Sequence, residues 1–254
     1  LVTTMRRGRQ IEVVFRGSAY VTPEMVTGLS RFARMHPGWR IVSRSNAFRY
    51  TKDWLATNRI DGMLLWPADP DVVNAAGEAG VPVVELMPHQ ASSHAVVDID
   101  DVAVGRLGAE TLANLGFRTF GFCGVTTHWS RTRGRAFADA LGEDGHPRPR
   151  AVEVDFDTAM RGALEGRRAQ SVREWLRSLS LPVGIMAGHD VAAALVTELA
   201  DECGYLVPED VAILGVGNME MICEFSPVPI SSIDTGRDEL ACRGCELLEA
   251  LFEG

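Results

Sequence analysis

From residue 11 to residue 252, short β-rich runs alternate with runs that carry apolar residues at helical spacing. This alternation constrains the fold more than any other feature. Strands interleaved with helices of 10–15 residues build parallel sheets through right-handed βαβ crossovers. Strand-like runs fall at 11–15, 40–42, 62–66, 81–86, 95–99, 119–123, 151–154, 183–187 and 211–216, and a last strand and helix fill 229–252. Helical periodicity links them. Val26, Leu29 and Ala33 share one face, and Val172, Trp175, Leu176 and Leu179 share another. About eleven such runs exceed a single sheet of ordinary size. The break at Gly116-Phe117-Arg118 divides them into two groups.

The expected fold class is therefore α/β, with two Rossmann-like lobes on parallel sheets. The first lobe is expected over 10–117, completed by about 228–254, and the second over 118–227. Residues 1–9 are read as an N-terminal arm. After the strand at 95–99, Asp100-Asp101 supplies an N-cap and a favourable charge for a helix. That helix is expected to bury Val104, Leu107, Leu112 and Leu115 and to end at Gly116.

Two strand runs end in small polar clusters, Gly188-His189-Asp190 and Gly217-Asn218. Ligands of open parallel sheets bind just outside such carboxyl ends, so these clusters predict a small-molecule cleft. Tyr20, Trp66 and Trp129 lie near strand ends and are candidates to stack on a sugar face. Glu85 and Asp100 lie near strand ends as well.

Composition excludes several classes. A net charge of −9 is poorly suited to coating a phosphate backbone. Arginines cluster at Arg6-Arg7-Arg9, read as a solvated arm, and at Arg131-Arg133-Arg135. No apolar run approaches the roughly 20 residues of a membrane span, and no secretory signal is visible. Five cysteines, an odd number, point to a reducing compartment and hence to the cytoplasm. Cys242-Arg243-Gly244-Cys245 lies inside a helical pattern and has no second ligand pair for zinc. There is no G-x-G-x-x-G after a strand and no G-x-S-x-G elbow. His128 and His189 have no nucleophile at a fixed spacing. No catalytic residue, metal or cofactor is expected.

The segment Ala95-Val-Val-Asp-Ile-Asp-Asp-Val-Ala-Val-Gly-Arg-Leu-Gly-Ala-Glu-Thr-Leu-Ala-Asn-Leu-Gly-Phe-Arg resembles the lobe-linking segment of the lac repressor family's effector domains. So do the Arg-x-Arg element at Arg131–Arg133 and Val-Pro-Glu-Asp-Val-Ala at 207–212. The opening half, with Ile11-Glu-Val-Val-Phe, Tyr20, Trp39-Arg-Ile, Asp53-Trp54-Leu55 and Ile60-Asp61-Gly62, is similar to regulators of the xylose-operon type. The resemblance implies a periplasmic-binding-protein-like fold of type I that senses a sugar or similar molecule between its lobes. It implies a homodimer that meets DNA only through a helix-turn-helix module outside this chain.

Site residues carry over by the same resemblance. Arg133 stands where the family's arginine hydrogen-bonds sugar hydroxyls, and its planar fork suits vicinal hydroxyls. His189-Asp190 stand where relatives carry Asn-Asp, and Asp190 is also readable as a helix cap. Asp100 matches a family position. Gly217-Asn218 departs from the pattern, because relatives place an aspartate at the first position. An amide alone grips paired hydroxyls less well than a carboxylate. Two other functions stay open at this point, a free-standing sugar-binding protein of a transporter and an enzyme on the same scaffold. The full reading frame separates the first, and turnover of a sugar reveals the second.

Overall fold

The computed structural model describes residues 8–15, 22–44, 47–88, 92–156, 159 and 167–253. The chain forms two compact units, residues 1–99 with 236–254, and residues 100–235. Each unit is built on one five-stranded parallel sheet.

In the first unit the strands are β1 (Arg9–Phe15), β2 (Trp39–Ser43), β3 (Gly62–Trp66), β4 (Val83–Leu86) and β5 (Ala95–Val97). Their order across the sheet is β2-β1-β3-β4-β5. Ile11 of β1 lies level with Ile41 on one side and Gly62 on the other. Successive side chains of a strand point to opposite faces, and β1 uses both. Ile11, Val13 and Phe15 join Met25, Leu29 and Phe32 of helix α1 (Pro23–Met35) and Leu240, Cys245 and Leu248 of the C-terminal helix α9 (Arg237–Glu253). Val14 joins Leu55 of α2 (Lys52–Asn58) and Val72 of α3 (Pro70–Ala79) on the other face. A sheet covered on both faces explains why its strands read as continuous apolar runs.

The second sheet contains β6 (Phe120–Val125), β7 (Arg150–Val154), β8 (Val183–Ala187), β9 (Val211–Val216) and β10 (Ser231–Ile233). Its order is β10-β9-β8-β6-β7. Around it stand α4 (Asp101–Asn114), α5 (His128–Glu143), α6 (Arg167–Arg177), α7 (Asp190–Glu202) and the short α8 (Glu220–Phe225). Val172, Trp175 and Leu176 of α6 and Val191, Val196 and Leu199 of α7 close one core over Val183 and Ile185. Each buried aliphatic side chain of this kind stabilises the unit by about 1.5–3 kcal/mol relative to exposure. Among the described residues, no helix is long and apolar enough to cross a membrane.

Two details differ from the sequence reading. Leu107 and Leu115 are 47% and 68% exposed, whereas Val104 and Leu112 are buried as expected. Helix α4 buries a narrow stripe made largely of small residues, Val104, Gly105, Gly108, Ala109 and Leu112. A Cβ on Gly105 would lie 2.4 Å from the carbonyl oxygen of Arg133 on α5, so the two helix backbones meet at that glycine. Only glycine permits such an approach, and the large leucines fall outside the contact. The same packing moves the boundary between the units. It lies at 99/100, before α4, rather than near Phe117, because α4 packs against α5 of the second unit. The return crossing lies after β10 at 235/236, because Ser231 and Ile233 pair with Leu214 and Val216 of β9.

The five cysteines are all free. Burial pushes the thiols of Cys123 and Cys245 up to about 12, and that of Cys223 up to about 11, where Asp190 also lies beside it. The Cys242-x-x-Cys245 pair is buried in α9, and the Cys242 thiol donates to the Gly28 carbonyl at 3.3 Å. Thiolates are the reactive form. In a thiol-labelling assay at pH 8, the half-buried Cys203 therefore reacts first. Cys123 and Cys245 react only when denaturant is added; rapid labelling of three or more thiols in the native protein contradicts this expectation.

Candidate functional site

The second unit's strand ends hold the polar groups that the sequence singles out. Strand β6 stops at Val125, and Thr127 caps α5 by accepting from the Ser130 N–H at 3.3 Å. The Ser130 hydroxyl in turn accepts from the Val125 N–H at 2.9 Å, which ties the first turn of α5 to the strand end. Trp129 and Arg133 follow one helical turn apart, so they share a face.

Arg133 is only 4% exposed. Its Nε donates to Asp101 Oδ1 at 2.8 Å, and its Nη1 donates to the Gly188 carbonyl at 2.8 Å. Its guanidinium carbon lies 4.7 Å from the centroid of the Trp129 ring. A buried arginine held by a carboxylate, a carbonyl and an aromatic face keeps a fixed orientation. Asp101 is itself buried in the first turn of α4, where the helix dipole favours a carboxylate.

His189 is the N-cap of α7. Its Nδ1 accepts from the Val191 N–H at 3.3 Å, which leaves the proton of the neutral ring on Nε2 as a donor. The imidazole belongs to a three-ring cluster. It lies 5.7 Å from Trp129 and 5.5 Å from Phe156, and Trp129 meets Phe156 edge-on at 5.6 Å. Phe156 follows β7 by two residues, so β6, β7 and β8 each deliver one ring of this cluster.

Asp190 is not the cap of α7, and it is fully buried. Its Oδ2 accepts from the Met219 N–H at 2.7 Å and its Oδ1 from the Ser232 hydroxyl at 2.6 Å. The Ser232 oxygen accepts from the Asn218 N–H at 2.9 Å. One carboxylate thus fastens the carboxyl ends of β8, β9 and β10 together, which accounts for it without a ligand. Asn218 is exposed, with φ 51°, and its Nδ2 donates to Asp234 Oδ2 at 3.5 Å. Gly217 has φ 123°, a conformation that side chains adopt at a cost. The departure from aspartate at this position therefore has a backbone reason. Gly217→Asp is expected to lower stability by about 1–2 kcal/mol rather than restore a grip on sugar. A urea midpoint equal to that of the unsubstituted chain would contradict this.

Of the remaining candidates, Asp100, Trp66 and Glu85 each have local packing or hydrogen-bond partners. Asp100 caps α4, with Oδ1 accepting from the Ala103 N–H at 2.9 Å. Trp66 is 4% exposed and edge-on to Phe15 in the core of the first unit, so its ring faces are spent on packing. Glu85 is buried, accepting from the Ala68 N–H at 3.1 Å with His94 Nε2 at 3.1 Å. Tyr20 lies outside the described residues. His128 opens α5 and is exposed. Among the described residues, no group of three or more His, Cys, Asp or Glu side chains is placed to hold a metal ion.

The structure therefore brings together Arg133, Trp129 and His189, with Asp190 and Asn218 in the adjoining strand-end network. Phe156 and Asp101 were missed by the sequence reading. Phe156 was findable by applying the strand-end rule to β7. The sequence marks Asp101 only as a favourable charge at a helix start, because Arg133 is far away in the chain.

The molecule thus has two units with a parallel sheet in each, and a polar and aromatic cluster at the strand ends of the second. The family of periplasmic binding protein-like domains matches residues 109–254, more than half of the chain, and this protein belongs to it. The chain is similar to the xylose operon regulatory protein of Haemophilus influenzae, with 22% identity over 96% of this chain and 65% of that protein. Among solved structures it is similar to a LacI-family transcriptional regulator from Rhizobium etli, with a TM-score of 0.77 and 19% identity, covering 98% of this chain and 92% of that one. It is also similar to a periplasmic binding protein/LacI transcriptional regulator from Alkaliphilus metalliredigens in complex with D-xylulofuranose. That match has a TM-score of 0.68 and 18% identity, covering 97% of this chain and 92% of the other. The chain spans between 52% and 65% of the length of the xylose operon regulators it matches.

Proposed function

We propose that this chain is the ligand-sensing domain of a cytoplasmic transcription regulator, not an enzyme. Its effector is a sugar or a similar small polar molecule, and it signals to a DNA-binding module carried elsewhere in the polypeptide. The observation that carries this reading is the strand-end cluster of Arg133, Trp129, His189 and Phe156, on a fold shared with regulators, one of which was solved with a pentulose. Aromatic rings offer faces to the C–H side of a sugar, while the guanidinium and imidazole N–H groups suit its hydroxyls. Such sites combine an apolar wall with a few fixed polar groups.

A thermal-shift screen of pentoses, hexoses and sugar acids tests the reading. Selective binding to the native state raises the melting temperature by mass action. One sugar that raises it in the unsubstituted chain but not in Trp129→Ala is the expected result. No shift with any sugar, or turnover of one, overturns the proposal. The regulator is further proposed to act as a homodimer, with DNA contacted only by the separate module. Light scattering that reports a monomer at all concentrations, or sequence-specific retardation of DNA by residues 1–254 alone, counts against these two points.

A further inference from the structure

A groove of about 340 Å³ runs between α5 and the edge strand β7. Its floor is apolar, with Phe122, Ala138 and Val152 among its lining. The groove is open because the residues facing it from α5 and β7 are small, notably Gly134, Ala138 and Ala151.

Its rim is basic. Arg131, Arg135 and Arg148 line it, against one carboxylate, Glu153. Arg131 is already engaged, with Nε and Nη2 donating to the two oxygens of Glu153 at 2.8 and 3.0 Å. That fork pairs the carboxylate's charge with Arg131. Arg135 and Arg148 are exposed and pair with no carboxylate among the described residues. Arg148 stands between Pro147 and Pro149, and a following proline holds a residue extended. The prolines thus restrict its backbone at the rim. Two guanidinium groups that pair with no described carboxylate stand over one apolar groove, in a chain whose net charge is −9.

We infer that this groove binds a small organic phosphate, its phosphate held by Arg135 and Arg148 and its body lying on the Phe122–Val152 floor. A phosphate monoester fits better than a carboxylate. A carboxylate presents two oxygens in one plane and carries a single charge, a match for one guanidinium fork such as that of Arg131 on Glu153. A tetrahedral phosphate has three acceptor oxygens and accepts from two guanidinium groups on different sides. The site is distinct from the strand-end cluster and does not depend on the sugar-sensing reading.

Calorimetry at low ionic strength tests it with phenyl phosphate as the probe, and with phenol and benzoate as controls. Saturable one-to-one binding of phenyl phosphate is expected, with benzoate at least about tenfold weaker. The Arg135→Gln/Arg148→Gln double variant replaces exposed side chains, so its fold is retained, and its affinity falls by roughly tenfold or more for each arginine removed. Trp129→Ala, which disrupts the strand-end cluster, leaves phenyl phosphate binding unchanged. No saturation up to about 10 mM, which corresponds to negligible affinity, overturns the proposal. So does equal binding by the double variant. Benzoate binding as tightly as phenyl phosphate overturns the phosphate assignment.

Discussion

Asp190→Ala lowers the melting temperature of this protein by roughly 6–12 °C. The carboxylate is fully buried and accepts from the Met219 N–H and the Ser232 hydroxyl. Hydrogen bonds to a charged group contribute about 1.5–3 kcal/mol each, and removing the acceptor leaves buried donors unsatisfied. A loss of about 3 kcal/mol in a chain of this size corresponds to that temperature range. Because the carboxylate joins β8 to the ends of β9 and β10, the loss is concentrated in the second unit. Amide exchange that accelerates around Met219 and Ser232, with the first sheet unaffected, locates it. A melting temperature within about 2 °C of the unsubstituted chain shows that the Asp190 network contributes little.

Arg133→Ala has an effect of similar size for a different reason. It leaves Asp101 buried without its guanidinium, and breaking one side of a buried ion pair costs about 3–5 kcal/mol. Loss of ligand binding in this variant alone is therefore ambiguous, because an unstable domain also fails to bind. The double variant Arg133→Met/Asp101→Leu separates the two effects. Replacing both partners by apolar residues of similar volume is often nearly neutral for stability, so the double variant recovers most of the melting temperature. It does not recover affinity for a sugar found by the screen, because the guanidinium fork is absent. Full recovery of both stability and affinity would show that Arg133 only ties α4 to α5. A double variant as unstable as Arg133→Ala would show that the pair is stabilising beyond apolar packing.

Sequence and structure agree best where local chemistry decides the outcome. The two parallel sheets were legible from the alternation of runs, because a strand buried on both faces must be apolar throughout. The start of α4 was legible from Asp100, which accepts the Ala103 N–H in the first turn, whereas the capping roles of Thr22, Thr51, Asp69 and Thr127 are seen only in the structure. Arg133 is placed by the family resemblance alone, whereas the strand-end positions of Trp129 and His189 are read from the same local pattern. Their place is set by where a strand stops and a helix begins.

What these side chains do once in place was not legible. Asp190 is equally consistent in sequence with a cap, a ligand contact and a buried clamp, and its two partners lie 29 and 42 residues away. The carboxylate that holds Arg133 lies 32 residues away on another helix. Leu107 looked like core because it is large and apolar, yet the contact at Gly105 left it outside. Burial depends on which face meets a neighbour, and that is a property of the packed helix pair. The sequence by itself determined the elements, their parallel pairing and the residues delivered to the strand ends, because these follow from periodicity, capping and backbone preference within a few residues. Only the tertiary structure decided which carboxylate holds Arg133, which fastens the strand ends, and where one unit gives way to the other, because those outcomes depend on contacts between segments far apart in the chain.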